Sequence, residues 1–206
     1  KGLTSKLTNL YVDSLSFPNN ILAFTETWLK PDIADASVFA SKFSVFRCDR
    51  TPRVGGGVLI AVDAALSSEQ IQPSSNQEIE FVSVKVDYHS FSAYITCSYI
   101  PPQSDMVVYL NHLEAIRSVS ALTSNRDILI VLGDFNLPSI AWSLADESTI
   151  LLPSTSHDFV DGLFEMSLSQ VNLVSNINGR SLDLIFVLDP ANCAVSRIEP
   201  FVLPED

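Results

Sequence analysis

Positive charge is scarce in this chain. Only 12 of its 206 residues are Lys or Arg, against 24 Asp or Glu, and the formal net charge is −12. That sign is wrong for a protein that coats nucleic acid by neutralising phosphates. It suits a site that gathers carboxylates around a divalent cation. Cysteine is equally sparse. Cys48, Cys97 and Cys193 form an odd set without metal-ligand spacing, which argues against a disulfide framework and predicts reduced, mostly buried thiols of an intracellular protein. No apolar run approaches about 18 residues, so no membrane-spanning helix is expected. No signal-peptide pattern opens the chain. Internal repeats, low-complexity tracts and linkers are also missing. Both ends look cut: the chain starts at Lys1 almost inside a helical pattern and stops at Pro204-Glu205-Asp206 just after a strand-like segment.

What remains is a chain that is 47% apolar, enough to build a sizeable core, and it reads as one domain over 1–206. Its organising stretch is Ile-Leu-Ile-Val-Leu-Gly-Asp-Phe-Asn at 128–136. Five apolar residues, partly β-branched, predict a strand buried on both faces. Asp134 and Asn136 follow two apart, so at extended spacing their side chains point the same way. Ligand sites in α/β proteins often sit at such strand ends. A capped strand end with a turn Asp and Asn is the plain alternative.

The same style recurs along the chain. Residues 3–15 place Leu3, Leu7, Leu10, Tyr11 and Leu15 at helical spacing. Ile21-Leu22-Ala23-Phe24 predicts a second buried strand, with Glu26 just past it. Residues 33–46 read as loop with short helical or strand pieces. Arg47, Arg50 and Arg53 form the one dense basic patch. Gly55-Gly56-Gly57 lacks the Lys and following helix of a P-loop, and predicts a bulge or close backbone approach beside the arginines before the strand Val58–Val62. Runs at 79–87 and 91–99 predict a hairpin around Asp87-Tyr88-His89-Ser90, with Tyr99 near the end of its second arm. Asp105 caps a predicted helix over 106–123 with Leu110, Leu113, Ile116 and Val119 inward. A loop carrying Pro138, Ile140 and Trp142, a polar stretch at 143–155, and a helix from Ser156 follow. Then come a short strand at 170–174, a turn at Asn178-Gly179, a strand at 181–188 and a last strand at 194–202. Within 181–188, Asp183 reads as a buried acid, costly unless paired or hydrogen-bonded. Strands in hairpins with helices between give an α/β domain with mixed sheets.

These strand-end groups have a shared chemical use. Glu26 could hold Mg²⁺, a hard cation that takes oxygen ligands and keeps several waters; the metal would polarise a phosphoryl oxygen. Asp134 could orient or deprotonate a water. Asn136 and Tyr99 could hydrogen-bond oxygens as charge builds. Asp183 suits orienting a His, yet His89 falls in a turn, His112 inside a helix and His157 at a helix start, positions that read as structural or solvent-facing.

At this level the residues resemble a family. TETWL at 25–29, GGGVLIA at 55–61, SYIPP at 98–102, GDFN at 133–136 and SLDLIF at 181–186 look like the motifs of the endonuclease/exonuclease/phosphatase superfamily, in its order and spacing. Within it the chain resembles the endonuclease domain of non-LTR retrotransposons, itself similar to apurinic/apyrimidinic endonucleases. The resemblance runs from about residue 20 to the end. It implies a DNase-like fold of two packed mixed β-sheets flanked by helices, a four-layer α/β sandwich. It also implies a Mg²⁺-dependent (or Mn²⁺-dependent) nuclease that nicks double-stranded DNA. The nick would supply a 3′-hydroxyl that primes reverse transcription by a reverse transcriptase domain of the same polyprotein, in the nucleus. Glu26 matches the family's metal-binding Glu, and Tyr99 the Tyr near the scissile phosphate. Asp134 and Asn136 match the pair that positions water and phosphate. Asp183 matches the Asp that pairs with the catalytic His, and Ser181 a polar residue beside it. Ser181, with Arg53 and Arg180 on charge and position alone, is a candidate DNA contact.

Two departures set further expectations. The family opens with a strand carrying a catalytic Asn, and this chain begins past it. The family closes on Ser-Asp-His; here Asp206 stands in the Asp place and the His would follow. A protein of these 206 residues alone is therefore expected to be severely impaired as a nuclease. Two other functions stay open at this stage: a phosphatase or phosphodiesterase of the same superfamily acting on phospholipid or inositol phosphate, and a non-catalytic DNA- or protein-binding remnant of the fold.

Overall fold

The structure is a computed structural model that describes residues 2–73, 79–138, 140, 142, 154–175, 179 and 181–197. Strands β1 (Ile21–Thr25), β2 (Phe43–Cys48) and β3 (Val58–Asp63) form a three-stranded antiparallel sheet in the order β1-β3-β2. Strands β4 (Ser67–Ile71), β5 (Glu80–Asp87), β6 (Ser92–Tyr99), β7 (Ile128–Asp134), β8 (Ser169–Gln170) and β9 (Asp183–Val187) form a six-stranded sheet in the order β4-β5-β6-β7-β9-β8. This larger sheet is mixed, because β6 and β7 run parallel and every other pairing is antiparallel.

Three apolar layers hold the two sheets and the helices together. Val58, Ile60 and Val62 of the small sheet meet Val82, Val84, Ile95 and Cys97 of the large one. On the outer face of the small sheet, helix α1 (Leu7–Ser14) contributes Leu10 to a core with Phe39, Phe43 and Leu59. On the outer face of the large sheet, helices α2 (Met106–Ser120) and α3 (Ser154–Glu165) pack Leu113, Ile116, Phe159 and Leu163 against Leu129, Val131 and Phe186. The expected four layers, helix–sheet–sheet–helix, are present.

Residues 33–46 hold the short pieces expected of them, a 3-10 turn at Asp35–Ser37 and the start of β2, whose Phe43, Val45 and Phe46 line up against β3. Several boundaries differ from the sequence expectation, each for a local reason. Strand β4 carries only polar residues before Ile71, so it has no apolar period to read. The first helix begins as a 3-10 turn, Leu3–Lys6, and leaves Tyr11 and Leu15 exposed. Helix α2 ends at Ser120, and its inward stripe carries Tyr109 and His112 rather than Leu110. Its cap is as expected, Asp105 Oδ1 accepting from the Val108 N–H at 3.1 Å. Strand β8 stops at Gln170, short of 174. Of the last expected strand, 194–197 are irregular and 198–202 lie outside the described residues, as do 143–153 and most of the turn at 176–180.

Strand β7 is central, yet it is not buried alike on both faces. Leu129 and Val131 are fully buried under the helices, whereas Ile130 and Leu132 face the small sheet and remain partly open. A cavity of about 320 Å³ lies there, lined by Ala23, Thr25, Cys97, Leu132, Asp183 and Ile185 among others. At the end of β7, Gly133 has φ +147°, and a Cβ on it would sit 1.9 Å from the Ser98 carbonyl oxygen of β6. Any larger residue would drive β6 and β7 apart where both reach the site. Gly133→Ala is therefore expected to destabilise the fold by about 3 kcal/mol or more, measured by urea denaturation; a loss under about 1 kcal/mol would show that the two strands can part without consequence.

Candidate active site

Pairing register builds the site. In the large sheet Glu80 stands opposite Tyr99, Tyr99 beside Asp134, and Asp134 opposite Asp183. Directly paired residues share a face, so the four form one row across the strand ends, on the side of the small sheet. Glu26 joins this row from the other sheet. It follows β1 with φ +52°, a left-handed conformation unusual for a non-glycine residue. Its Oε1 accepts a hydrogen bond from the Tyr99 hydroxyl at 2.5 Å. The strand ends of the two sheets thus bring their carboxylates within electrostatic reach of one another, with Tyr99 bonded across to Glu26.

Asn136 completes the turn after β7, also left-handed at φ +47°. Its backbone N–H donates to Asp134 Oδ1 at 3.1 Å, and its side-chain Nδ2 donates to the Ile100 carbonyl at 2.9 Å. Asn136 therefore ties the β7 turn to the segment after β6, and its side chain also bonds the Asp134 carboxylate. Tyr109 of α2 braces the same turn through its hydroxyl, 3.1 Å from the Phe135 carbonyl and 3.2 Å from that of Asn136.

Electrostatically the pocket is crowded with negative charge. Burial first, then the Asp183 carboxylate and Glu26, push the Asp134 carboxyl up to about 6. Asp183 is likewise raised, by its surroundings and by Glu26. Here the sequence reading needs correction. Asp183 is exposed rather than buried; it lies on a cleft wall, ringed by protein yet open to solvent, and no described residue donates a hydrogen bond to its carboxylate. The Tyr99 hydroxyl is pushed up by burial and then by Glu26, so it stays protonated.

The basic patch divides three ways. Arg47 is a structural residue, bonded to the Ile33 carbonyl at 2.5 Å and paired with Asp35 at 3.1 Å. Arg50 donates from Nε to Glu80 Oε1 at 2.6 Å and lies over the Tyr99 ring. Arg53 is exposed and, among the described residues, has no acid within ion-pair distance. It lines a groove of about 780 Å³ with Tyr99, Pro101, Gln103 and Ser104. The glycine run is a close backbone approach, as expected. The Gly57 N–H donates to Glu80 Oε2, and Gly56 and Gly57 accept from the N–H groups of Trp28 and Thr27 on either side of that linkage. Glu80 escaped the sequence reading, although the 80–99 pairing follows from a tight hairpin turn. Ser181 lies just before β9, its Oγ 3.4 Å from Ser175 Oγ; Arg180 is outside the described residues.

None of the three histidines joins the acids. His112 is buried, edge-on to Phe81, with Nδ1 3.4 Å from Ser98 Oγ; burial drives it down to about 3, so it stays neutral. His157 pairs with Asp161 on α3, and His89 is exposed in the β5–β6 turn.

Among the described residues no three acids, histidines or cysteines already form a metal cage. Mg²⁺ seldom needs one: it binds through one or two carboxylates and fills its shell with water and substrate phosphate. The all-oxygen donor set of Glu26, Asp134 and Asp183, with its unrelieved repulsion, fits that ion.

Burial of Asp134, and after it that repulsion, sets a pH dependence. The usual carboxyl value for Asp134 is 3.8 and its folded value about 6, so between them the folded state binds the extra proton. Stability then falls as pH rises through this window, and the penalty is complete above it. In EDTA at neutral pH, Asp134→Asn should melt at least as high as the parent chain, the advantage vanishing below about pH 4. A lower melting point for the variant at neutral pH would refute the charge crowding.

Known proteins share this fold. A family profile described as endonuclease–reverse transcriptase matches residues 93–202. Comparison with curated protein sequences gives no match. Among solved structures, the endonuclease domain of TRAS1, a telomere-specific non-LTR retrotransposon, is similar at 18% identity and TM-score 0.59, over 90% of this chain and 79% of that one. A 3′-5′ exonuclease (NExo) from Neisseria meningitidis has 15% identity and TM-score 0.62, over 92% and 84%. An AP endonuclease from Archaeoglobus fulgidus has 12% identity and TM-score 0.58, over 91% and 83%. At such identities these likenesses speak for the DNase-like fold, and the profile, which spans more than half of the chain, speaks for descent: the chain belongs to the endonuclease–reverse transcriptase family.

Proposed function

We propose that this chain is a Mg²⁺-dependent DNA endonuclease domain that nicks double-stranded DNA and leaves a 3′-hydroxyl from which a reverse transcriptase of the same polyprotein primes synthesis, in the nucleus. The observation that carries the reading is the Glu26–Tyr99 hydrogen bond at 2.5 Å, set beside the Asp134/Asp183 pair at the strand ends. Family membership and the likeness to a retrotransposon endonuclease domain support the choice of substrate.

Each residue has a task that its surroundings suit. Glu26, with Asp134 and Asp183 nearby, would hold the metal, which when bound polarises a phosphoryl oxygen and offsets charge on the leaving oxygen. Asp134 accepts a proton from the attacking water; a carboxyl raised to about 6 is a stronger base than an ordinary one and still mostly ionised at neutral pH. The protonated Tyr99, whose one hydrogen goes to Glu26 in the structure, would turn that hydrogen to a non-bridging phosphate oxygen once the Glu26 carboxylate is taken up by the metal. Asn136 fixes the turn and holds the Asp134 carboxylate, and its amide would be a second donor if it turned from Asp134 to the phosphate. Water adds to phosphorus and gives its proton to Asp134, the bond to the 3′ oxygen breaks, and the departing 3′ alkoxide takes a proton from solvent water to become the hydroxyl. DNA approach falls to few cations, and Arg53 in the groove beside Tyr99 is one of them.

The test uses supercoiled plasmid with Mg²⁺ or with EDTA, on the 206-residue chain and on the chain with its natural flanking sequence. Relaxation to open circle with Mg²⁺ alone is expected from the extended protein. Glu26→Ala and Asp134→Ala should each lower it by about 10²-fold or more with the thermal midpoint nearly unchanged. Binding without nicking would point to a non-catalytic module. Turnover confined to phospholipid or inositol phosphate would point to the lipid-directed branch of the superfamily. Arg53→Ala should weaken DNA binding and reduce the slope of log K against log salt by about one; an unchanged slope would remove Arg53 from the DNA path.

A further inference from the structure

Beside the row of strand-end acids lies an ion pair that the chemistry above leaves without a task. Glu80 is the fourth member of the row, opposite Tyr99. One carboxylate oxygen accepts from Arg50 Nε at 2.6 Å, and Arg50 Nη2 reaches the same oxygen. The other oxygen accepts from the Gly57 N–H. Both side chains are mostly buried, 20% and 14% exposed. Space for the pair is made by Gly56, where a Cβ would collide with the Glu80 carboxylate and the Arg50 guanidinium. From this anchor the Arg50 guanidinium carbon lies 5.3 Å from the centroid of the Tyr99 ring, within cation–π range. At the far end of that ring the hydroxyl donates to Glu26.

Burying an Arg–Glu pair is a poor route to stability, since desolvation offsets most of the attraction. A planar, weakly hydrated guanidinium is well made for stacking on an aromatic face. A ring clamped on its face has its plane set, and with it the direction of its O–H.

We propose that Arg50, held by Glu80, is a positioning residue for Tyr99: its guanidinium fixes the ring so that the phenol is presented to the Glu26 carboxylate and the phosphate beside it. The catalytic consequence rests on the nicking function proposed above; the geometric part does not. Arg50 acts through Tyr99 rather than by gripping DNA, which separates it from Arg53.

Two measurements on the extended protein test this apart from each other. The first is NMR of the protein with ¹³C-labelled tyrosine, assigned through Tyr99→Phe. Arg50→Gln and Glu80→Gln should each shift the Tyr99 ring resonances, Arg50→Lys should shift them less than Arg50→Gln, and the remote Arg117→Gln should leave them in place. Tyr99 resonances indifferent to Arg50 and Glu80 would overturn the proposal whether or not the protein nicks DNA. The second is a kinetic cycle. Arg50→Gln should lower kcat about tenfold with KM changed less than twofold, and Arg50→Lys should recover part of the loss. In a Tyr99→Phe background, where no hydroxyl remains to be aimed, Arg50→Gln should change kcat less than twofold. Losses that multiply, or a raised KM with kcat intact, would overturn the proposal and make Arg50 an independent DNA contact. If Arg50→Gln does not fold, Glu80→Gln and Arg50→Lys carry both measurements.

Discussion

The site depends on one constraint, the pairing register of β6, β7 and β9. With β6 parallel to β7, Tyr99 falls beside Asp134; with β9 antiparallel to β7, Asp183 falls opposite the same residue. A shift of one residue in either ladder would turn a whole set of side chains to the other face and bury two acids under α2 and α3. What pins the register is the apolar set on the helix face, Leu129, Val131, Leu184 and Phe186, together with the missing Cβ at Gly133. The hydrophobic core and the polar row are thus two sides of one alignment, and the row inherits its precision from the packing beneath it.

Having brought the acids together, the fold does not neutralise them. Two of the three clustered arginines are spent elsewhere, Arg47 on Asp35 and Arg50 on Glu80. His112, the histidine nearest in the sheet-and-helix packing, is buried and neutral. The pocket therefore keeps the local negative potential that a divalent cation relieves, and the net charge of −12 is consistent with a protein that holds its substrate at a metal-centred point rather than across a broad basic face.

Much of this was legible because the strands carry their own signal. Unbroken apolar runs at 21–24, 58–62 and 128–132 mark strands against which something must pack, and a polar group directly after such a run must emerge at a strand end. That logic located Glu26, Asp134 and Asn136 without any knowledge of pairing. It failed where neighbours decide the outcome. Asp183 reads as buried because Leu182 and Leu184 flank it, but it stands on the wall of the cavity between the sheets and is exposed. Strand β4 is polar up to Ile71 and pairs along the edge that β5 offers. Glu80 looks like an ordinary loop-side acid until the hairpin register sets it opposite Tyr99. Pairing is non-local information, and single-segment periodicity does not contain it.

The strand ends also show where the fold accepts a cost. Glu26 and Asn136 both adopt left-handed backbone at the point where their strands leave the sheets. Left-handed backbone at a non-glycine residue comes at an expense of about 1–3 kcal/mol. Surrounding contacts make that expense tolerable. The Trp28 and Thr27 N–H groups after Glu26 are taken by the glycine loop, and the Asn136 amide and Tyr109 hydroxyl lock the second turn. Two turns, strained alike and braced alike, deliver groups from two different sheets to one hydrogen-bonded pocket. A fold selected for stability alone would have no reason to bring such turns face to face.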